Sequence, residues 1–302
     1  MARTGWTTTD MPALDGRTVI VTGANSGVGL ATATAFAQAG AHVVLAVRDT
    51  GRGKAAAAVV GGRNEVRRLD LADLASVREF AGNWNRPVDI LINNAGVAGF
   101  PGSRTADGFD LQFGTNHLGH YALTNLLLPN LTDRVVTLAS GAHRAGDIHF
   151  DDLELSRRKY GFAASYGQSK LANLLFTLEL DRRLRAVGSP IRALAAHPGY
   201  AATNLGTQGR NRFLVAAVRA VGNALAQSSE QGALPTLFAA TQDLPGASYI
   251  GPDGRREMHG HPTLVGRSAK AADPIIAQRL WTASAELTGI EFDLRPESIQ
   301  NP

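Results

Sequence analysis

The chain has 302 residues and a hydrophobic content of 44%, which is enough apolar material to bury a substantial core. Its net charge is only +4, and the scattered basic residues lack the stacking aromatic side chains of a nucleic-acid groove, so we expect no nucleic-acid partner. The sequence has no cysteine, which excludes disulfides and cysteine-based metal sites and agrees with a reducing cytoplasm. Because no apolar run approaches the roughly 18 residues that a membrane-spanning helix needs, we expect a soluble, cytoplasmic protein.

Apolar, β-branched runs alternate along the chain with helical patterns, which predicts a parallel sheet covered by helices on both faces. Seven strands are predicted, at Thr18–Val21, His42–Val47, Glu65–Leu69, Asp89–Asn93, Arg134–Ala139, Ile191–His197 and Ser248–Gly251. Helices are predicted near 27–39, 52–60, 73–82, 107–128, 165–187, 211–225, 228–241 and 274–288.

The sequence contains no long polar linker, internal repeat or low-complexity tract. We therefore interpret residues 1–302 as one doubly wound, Rossmann-like α/β domain with a seven-stranded, mostly parallel sheet. A lid is expected at about 204–229 and a C-terminal extension at about 252–302. Ligands of such sheets bind beyond the carboxyl ends of the strands, which is where the motifs below begin.

A glycine-rich segment, Thr22-Gly23-Ala24-Asn25-Ser26-Gly27-Val28-Gly29, joins the first predicted strand to the first predicted helix. Its glycines permit a tight turn, a close backbone approach to a pyrophosphate and close packing of the helix on the strand. The helix N-terminus adds free N–H groups and a partial positive charge for the anion. A glycine pattern alone often marks only a loop, but strand, glycine turn and helix in this order predict a dinucleotide-phosphate site.

Far downstream, Tyr166-Gly-Gln-Ser-Lys170 places a phenol and an ammonium on one helix face, one turn apart. An ammonium held beside a phenol favours the phenolate and lowers the pKa of the Tyr from about 10. The spacing therefore predicts a Tyr that can donate or accept a proton. An isolated pair of this kind is usually only solvent-exposed, and the upstream glycine segment is what favours a chemical role.

Three further motifs lie between these two segments, in the order Asn93-Asn94-Ala95-Gly96, Phe113-Gly-Thr-Asn-His-Leu-Gly119 and Ser140. Together the five resemble the motif set of the classical short-chain dehydrogenase/reductase family, over about residues 14 to 290. Finer details are similar to its retinol dehydrogenase-like branch: Ala46-Val-Arg-Asp49, Gly141-Ala-His-Arg144, the long Ser140–Tyr166 spacing, Ser169-Lys-Leu-Ala-Asn173 and His197-Pro-Gly199. Retinol dehydrogenases of animals often carry an N-terminal membrane anchor, for which this sequence shows no apolar segment.

The resemblance implies an oxidoreductase that transfers a hydride between a nicotinamide cofactor and a carbonyl or alcohol. It assigns Tyr166 as the general acid or base and Lys170 as the residue that lowers the Tyr166 pKa and binds the nicotinamide ribose. Ser140 would hydrogen-bond the substrate oxygen, and Asn116 would hold a water that links Lys170 to solvent.

Each of these residues has a structural alternative. Asn116 could be a mid-helix irregularity with its side chain on the backbone, Ser140 an ordinary strand-end serine, and Ser165 a helix N-cap beside an inert Tyr166. The alternative function is a non-catalytic NADP(H)-binding sensor or scaffold on the same fold. The intact set of four favours the enzyme, because a sensor has no need for all of them.

The end of the second strand bears on the choice between the two nicotinamide cofactors. An acidic side chain there accepts from the adenine ribose, whereas an arginine meets a 2′-phosphate. Alignment with the family puts Val47 at the acidic position and Arg48 next to it, which favours NADP(H) over NAD(H), with Arg52 as a possible second contact. A two-residue shift would instead turn Asp49 towards the ribose, and Arg48 could be a plain surface arginine.

The resemblance extends to further cofactor-contacting positions. The full predicted set is Gly23, Asn25, Ser26, Gly27, Val28, Gly29, Arg48, Asp70, Leu71, Asn94, Ala95, Gly96, Tyr166, Lys170, Pro198, Gly199 and Thr203. Asp70 would accept from the adenine amine, although it could cap a helix, a role for which Asp73 is better placed. Asn93 is expected to brace the sheet, and Pro198-Gly199 could be a simple turn.

The segment from Asn204 to Ser229 carries apolar residues at 213, 214, 218 and 221. They could pack on the core, cover a lipophilic ketone, aldehyde or alcohol, or touch a membrane surface. No metal is expected, because His117, His120, His143 and His197 lack metal-ligand spacing.

Leucines on the predicted helices 107–128 and 165–187, at Leu126 to Leu128, Leu171, Leu174, Leu175 and Leu178, suggest a homodimer or homotetramer built on that face. The alternative is that the segment from Asp273 to Thr288 covers the face within one chain.

Overall fold

The computed structural model describes residues 5–98, 102–155, 161–199 and 227–294, apart from the side chains of residues 162 and 163. The strands are β1 Thr18–Thr22, β2 His42–Val47, β3 Asn64–Arg68, β4 Val88–Asn93, β5 Leu131–Leu138, β6 Arg192–Ala196, β7 Tyr249–Pro252 and β8 Pro262–Leu264. The main helices are α1 Gly27–Gln38, α2 Thr50–Val60, α3 Leu74–Gly82, α4 Gly119–Leu127, α5 Phe162–Ala186, α6 Ser229–Thr241 and α7 Pro274–Thr288.

The strands form one sheet in the order β3-β2-β1-β4-β5-β6-β7-β8. The pairs from β3 to β7 are parallel, and β8 runs antiparallel to β7. The strand order reverses between β1 and β4, which opens a crevice at the carboxyl ends of these strands. The predicted single Rossmann-like α/β fold is confirmed, with one more strand than expected. The extra strand, β8, has three residues and starts at a proline, so no apolar run marks it in the sequence.

The central strands are buried on both sides, as their continuous apolar runs require. Val19, Ile20 and Val21 of β1 are fully buried. Helices start where the sequence offers a cap: the Asp49 carboxylate accepts from the N–H of Arg52 at the start of α2, and the Asp73 carboxylate accepts from two N–H groups at the start of α3. The expectation that Asp73 caps this helix is therefore confirmed.

The helical run predicted over 107–128 differs from the expected continuous helix. A helical turn begins only at Leu111, and a π-turn at Gly114–Leu118 separates it from α4. In that turn the N–H of Gly119 donates to the carbonyl of Gly114, five residues earlier. The predicted helix 211–225, most of the predicted lid at 204–229, and Thr203 lie outside the described residues.

The apolar face that motivated the oligomer prediction is covered within the chain. Leu171, Leu174 and Leu175 of α5 are fully buried, and α7 packs along α5. Trp281 of α7 stacks on Phe176 of α5, with ring centroids 5.7 Å apart and an interplanar angle of 8°. The alternative stated above therefore holds for this face, and a homodimer or homotetramer stays a prediction without this support.

Among the described helices, none combines the length and the apolar character that crossing a bilayer requires.

Candidate active site

The glycine-rich turn between β1 and α1 has the backbone that the sequence predicted. Gly23 and Gly27 have φ values of +66° and +55°, a region that L side chains rarely adopt. A Cβ at Gly29 would lie 2.4 Å from Asn94 Nδ2 and 2.6 Å from the carbonyl oxygen of Gly23, so only glycine allows this packing. Ser26 occupies the N-cap position of α1 without a side-chain hydrogen bond to the described part of the helix. The first-turn N–H groups therefore remain available for an anion, which fits a pyrophosphate.

The floor of the crevice is the chain segment after β4, which is tied to β1 through Thr22. The Thr22 hydroxyl accepts hydrogen bonds from the N–H groups of Asn94 and Ala95, each at 2.9 Å. The Asn94 amide donates in turn to the Thr22 carbonyl at 2.7 Å. Asn93 donates to Thr137 Oγ1 of β5 at 3.3 Å and to Thr124 Oγ1 of α4 at 2.9 Å, in agreement with the bracing role predicted for it.

Asn116 lies in the π-turn, and its side chain binds the backbone of the segment after β4. Its Nδ2 donates to the Val97 carbonyl at 2.9 Å and to Ser169 Oγ at 3.0 Å, and its Oδ1 accepts from the Val97 N–H at 2.7 Å. The structural alternative for Asn116 therefore describes the observed geometry: the residue lies in a helix irregularity, and its side chain is bound to the backbone. It does not exclude a functional role, because π-turns within helices are frequent at functional sites.

Gly96 brings Asn116 and Lys170 to the same point in the crevice. A Cβ placed on Gly96 would lie 3.5 Å from Asn116 Oδ1 and 3.5 Å from Lys170 Nζ. Both groups are buried, so the backbone at Gly96 passes directly over them and forms part of the crevice floor.

Ser140 and Tyr166 meet although they are distant in sequence. Ser140 follows β5, and its hydroxyl accepts from the Ala142 N–H at 3.2 Å and hydrogen-bonds the Tyr166 side chain. Two glycines permit the approach: a Cβ on Gly146 would lie 2.3 Å from the carbonyl oxygen of Gly167, the residue after Tyr166. The start of α5 therefore lies directly against the segment that follows Ser140.

Ser165 is not the helix cap that the structural alternative for Tyr166 required. The N-cap position of α5 is Gly161, and the Ser165 hydroxyl donates to Asp110 Oδ1 at 2.9 Å. It also accepts from Gln112 Nε2 at 2.8 Å. Ser165 thus anchors α5 to the turn at Leu111–Phe113.

Lys170 is buried, and its ammonium donates to the Leu138 carbonyl at 3.1 Å. The Nζ atom lies 5.6 Å from the centroid of the Tyr166 ring. Burial lowers the pKa of Lys170 to about 8. Burial also raises the pKa of Tyr166, and the opposing influence is its hydrogen bond with Ser140. The Lys170 ammonium is held at the Leu138 carbonyl and is not among the causes of the Tyr166 shift, so its lowering of the Tyr166 pKa stays a prediction.

The lowered pKa of Lys170 predicts a pH dependence of stability. Between about pH 8 and the ordinary value of 10.5, the unfolded chain binds more protons at this residue, so its contribution to the free energy of unfolding increases with pH. We expect Lys170→Met to be more stable than the wild type near pH 7, by up to about 3 kcal/mol, with a difference that shrinks towards pH 10. Urea unfolding at several pH values measures this, and a pH-independent difference would contradict it.

The turn after β2 places Arg48 at the surface. β2 ends at Val47, and Arg48 is exposed and forms no ion pair with any described residue. Asp49 Oδ1 accepts from the Arg52 N–H at 3.0 Å as the cap of α2. A shift of two residues in the alignment would turn Asp49 towards the ribose. In the structure the Asp49 carboxylate faces the N-terminus of α2 instead.

Asp70 and Leu71, after β3, lie in different environments. Asp70 is partly exposed, and its Oδ1 accepts from the Ala72 N–H at 3.0 Å. The Leu71 side chain is buried, and a Cβ on Gly119 would lie 2.4 Å from the Leu71 carbonyl oxygen. Leu71 therefore contributes its side chain to the core rather than to the open crevice.

At the end of β6, Pro198 and Gly199 form a turn held from two sides. The Gly199 N–H donates to His197 Nδ1 at 3.2 Å, and Gln227 Nε2 donates to the Pro198 carbonyl. Gly199 has a φ of +66°, and a Cβ there would lie 2.6 Å from the Met258 carbonyl oxygen. Pro198 and Gly199 therefore form the turn that was considered from the sequence. This turn lies at the carboxyl ends of the strands, as the other motifs do.

Two histidines belong to the site and were considered in the sequence only as metal ligands. His143 Nδ1 lies 2.7 Å from the Ser140 carbonyl oxygen, and its Nε2 accepts from the Ser268 N–H at 3.2 Å. His120 Nδ1 lies 3.0 Å from the Asn116 carbonyl oxygen. His143 follows Ser140 by three residues, and His120 follows Asn116 by four. In a helical turn this spacing brings a side chain to the earlier carbonyl, so the sequence could have indicated both contacts.

Comparison with known proteins agrees with this geometry. The profile of the short chain dehydrogenase family matches residues 17–212. Human Retinol dehydrogenase 13 is 44% identical over 294 residues, which cover 92% of this chain and 86% of that protein. Mouse Retinol dehydrogenase 12 is 40% identical over 294 residues, with coverage of 93% and 89%.

Solved structures show the same similarity. The crystal structure of an uncharacterized protein from Mycobacterium Paratuberculosis is 52% identical, with a TM-score of 0.85 and coverage of 96% of this chain and 100% of that chain. A structure presented as a NAD(P) dependent gluconate 5-dehydrogenase from Beutenbergia cavernae, with bound NADP at low occupancy, is 28% identical with a TM-score of 0.57. The match covers 76% of this chain and 91% of that chain. On these matches and on the site geometry, the chain belongs to the short-chain dehydrogenase/reductase family of oxidoreductases, in its retinol dehydrogenase-like branch.

Proposed function

We propose that this protein is an NADP(H)-dependent oxidoreductase that interconverts a lipophilic carbonyl compound and the corresponding alcohol. The observation that carries the proposal is the hydrogen bond between Ser140 and Tyr166, with Lys170 buried beneath the Tyr166 ring. Two hydroxyl groups thus converge beside a crevice whose glycine turn fits a dinucleotide pyrophosphate.

The side chains would divide the chemistry as follows. A bound nicotinamide cofactor would supply or accept the hydride. In carbonyl reduction Tyr166 would donate a proton to the carbonyl oxygen, and Ser140 would stabilise the charge that develops there. In alcohol oxidation Tyr166 would accept the proton instead. Lys170 would bind the ribose and favour the phenolate once its ammonium turns from the Leu138 carbonyl.

Asn116 would support proton exchange between Lys170 and solvent through a bound water. Both hydrogens of its side-chain amide are already donated, to the Val97 carbonyl and to Ser169 Oγ. A water at this residue would therefore use the second lone pair of the backbone carbonyl, which also lies 3.0 Å from His120 Nδ1.

The preference for NADP(H) is supported by the turn after β2. Asp49 is engaged at the N-terminus of α2, whereas the Arg48 guanidinium is exposed beyond the strand end. An arginine can bind a phosphate bidentately, and a carboxylate directed away cannot compete for the ribose. Arg52, also exposed on the first turn of α2, would be the second phosphate contact.

We expect Arg48→Ala to weaken NADPH binding about ten- to a hundredfold, because it removes a charge-assisted contact worth about 1.5–3 kcal/mol. NADH binding should hardly change. Titration of the intrinsic fluorescence with each cofactor measures both affinities. Arg63→Ala is the matched control, since Arg63 is also exposed but precedes β3, at the amino end of the strands. Equal weakening for both cofactors would contradict the assignment of Arg48.

The substrate class is supported by relatives that carry the name retinol dehydrogenase. The segment 211–221, proposed to cover an apolar substrate or to touch a membrane surface, lies outside the described residues.

The experiment that tests the function is incubation of the purified protein with each cofactor and a panel of hydrophobic aldehydes, ketones and alcohols. Cofactor binding without turnover across the whole panel would instead favour the non-catalytic sensor.

A cytoplasmic location is proposed on the absence of cysteine from the sequence. A homodimer or homotetramer is retained only as a prediction, and light scattering at micromolar concentration tests it.

A further inference from the structure

A buried chain of hydrogen bonds runs from β1 to the π-turn through the side chain of His120. His120 Nε2 lies 2.9 Å from the Thr22 hydroxyl, and Nδ1 lies 3.0 Å from the Asn116 carbonyl oxygen. Thr22 and Asn116 are fully buried, and His120 is 1% exposed. A polar side chain buried to this extent is costly unless its atoms are paired, and here both ring nitrogens have partners.

The partners determine the tautomer of His120. A carbonyl oxygen can only accept, so Nδ1 carries the hydrogen and donates to Asn116. Nε2 then accepts from the Thr22 hydroxyl, whose oxygen already receives the N–H groups of Asn94 and Ala95. The other acceptor for the Thr22 hydrogen, the Ile92 carbonyl, lies further away at 3.3 Å. Burial lowers the pKa of His120 to about 4, and the nearby Lys170 ammonium acts in the same direction, so the ring is neutral at physiological pH.

Each end of this chain holds a different part of the site. Thr22 holds the backbone of Asn94 and Ala95, which forms the floor of the cofactor crevice. Asn116 binds Ser169, and the Ser169 hydroxyl donates to the Tyr166 carbonyl at 2.9 Å. Asn116 lies in the π-turn, and its carbonyl is held by the His120 ring N–H.

We propose that His120 is a positioning residue that joins the cofactor floor to the turn carrying Asn116. Its Nε2 side fixes Thr22 and thereby the crevice floor, and its Nδ1 side fixes the carbonyl of Asn116 and thereby the proton-transfer residues. The effect on turnover rests on the proposed function, whereas the effect on cofactor affinity depends only on dinucleotide binding.

Two substitutions separate the two bonds. In His120→Asn the amide sits near the former Nδ1 and can still donate to the Asn116 carbonyl, as Asn125 does to the Tyr121 carbonyl at 2.9 Å in the same helix. This variant loses the bond to Thr22. In His120→Gln the longer amide reaches the former Nε2 and can accept from Thr22, but the bond to Asn116 is lost.

We expect His120→Asn to raise the Kd for the preferred cofactor of the wild type, NADPH or NADH, about tenfold with kcat changed by less than about twofold. We expect the opposite split for His120→Gln, with kcat lowered about tenfold and Kd nearly unchanged. Fluorescence titration gives Kd without turnover, and steady-state kinetics gives kcat.

His117 supplies the matched control. It is equally buried, one turn earlier, but its Nε2 contacts Ser284 Oγ of α7 at 2.9 Å, away from the crevice. His117→Asn and His117→Gln should lower the free energy of unfolding without either the affinity or the turnover effect. If the His120 variants show only the same loss of stability, the proposal is overturned.

A second measurement covers the case in which the His120 variants do not fold. In the wild type, nitrogen NMR of labelled histidine should show His120 as the neutral Nδ1–H tautomer at neutral pH, with resonances that move when the cofactor binds. The Nε2–H tautomer, or resonances insensitive to the cofactor, would overturn the proposal. If the wild type binds a dinucleotide but turns over no substrate, the proposed function fails, and the affinity effect of His120→Asn still decides this inference.

Discussion

Replacing Tyr166 with Phe is expected to lower kcat by about 10²–10⁴-fold, the usual contribution of a positioned general acid or base. The substitution removes only the hydroxyl that hydrogen-bonds Ser140 and keeps the ring that lies 5.6 Å from Lys170 Nζ. Folding and cofactor affinity should therefore be retained while proton transfer fails. Steady-state kinetics in both directions, together with cofactor titration, separates the loss of chemistry from a loss of binding.

Tyr121→Phe is the matched control for this substitution. Tyr121 is fully buried and donates to the Ile290 carbonyl at 3.2 Å, so its loss removes a buried hydroxyl outside the crevice. We expect this variant to be slightly less stable and to keep its activity. A Tyr166→Phe protein that reduces a carbonyl substrate at near the wild-type rate would refute the assigned mechanism.

The direction of the pH effect follows from the same assignment. Alcohol oxidation requires the phenolate, so its rate should increase with pH as Tyr166 loses its proton. Burial raises the pKa of Tyr166 in the cofactor-free structure, and the increase should therefore extend into the alkaline range unless the cofactor brings the Lys170 ammonium closer. The increase should be absent in Tyr166→Phe.

The sequence predicted the fold because local and global signals agree. Buried parallel strands read as continuous β-branched runs, and Asp73 marked the start of α3. The cap that Asp49 provides for α2 was not predicted. The short β8 could not be predicted, because three residues after a proline have no periodicity of their own. Its pairing with β7 depends on tertiary contacts that the local sequence does not encode.

The site was predictable as a set of residues but not as a set of contacts. The glycines after β1 and the order of the motifs predicted which residues lie near one another at the carboxyl ends of the strands. Whether the Lys170 ammonium faces the Tyr166 hydroxyl or the Leu138 carbonyl depends on side-chain conformation, which the Tyr166–Lys170 spacing leaves open. The π-turn at Gly114–Leu118 was also invisible, since its residues are compatible with a regular helix.

The oligomer prediction illustrates how an apolar surface can be misread from sequence alone. Leucines on α5 indicated a face in need of cover, and the choice between a second chain and α7 could not be made without the tertiary structure. Trp281 is the largest of the buried α7 side chains. It is 3% exposed, stacks on Phe176, and lies edge-on to Tyr121 with ring centroids 5.0 Å apart.

Trp281→Ala is therefore expected to lower the free energy of unfolding by about 3–5 kcal/mol, because it leaves a large cavity between α5 and α7. Urea unfolding followed by circular dichroism measures the loss. Trp281→Phe should cost much less, since the ring stack on Phe176 remains and the indole N–H has no hydrogen-bond partner among the described residues. Loosening of α7 should also uncover the leucines of α5, so light scattering of Trp281→Ala should detect association at concentrations where Trp281→Phe keeps the wild-type mass. An alanine variant as stable as the wild type would show that α7 does not hold this face closed, and the case for a second chain on it would return.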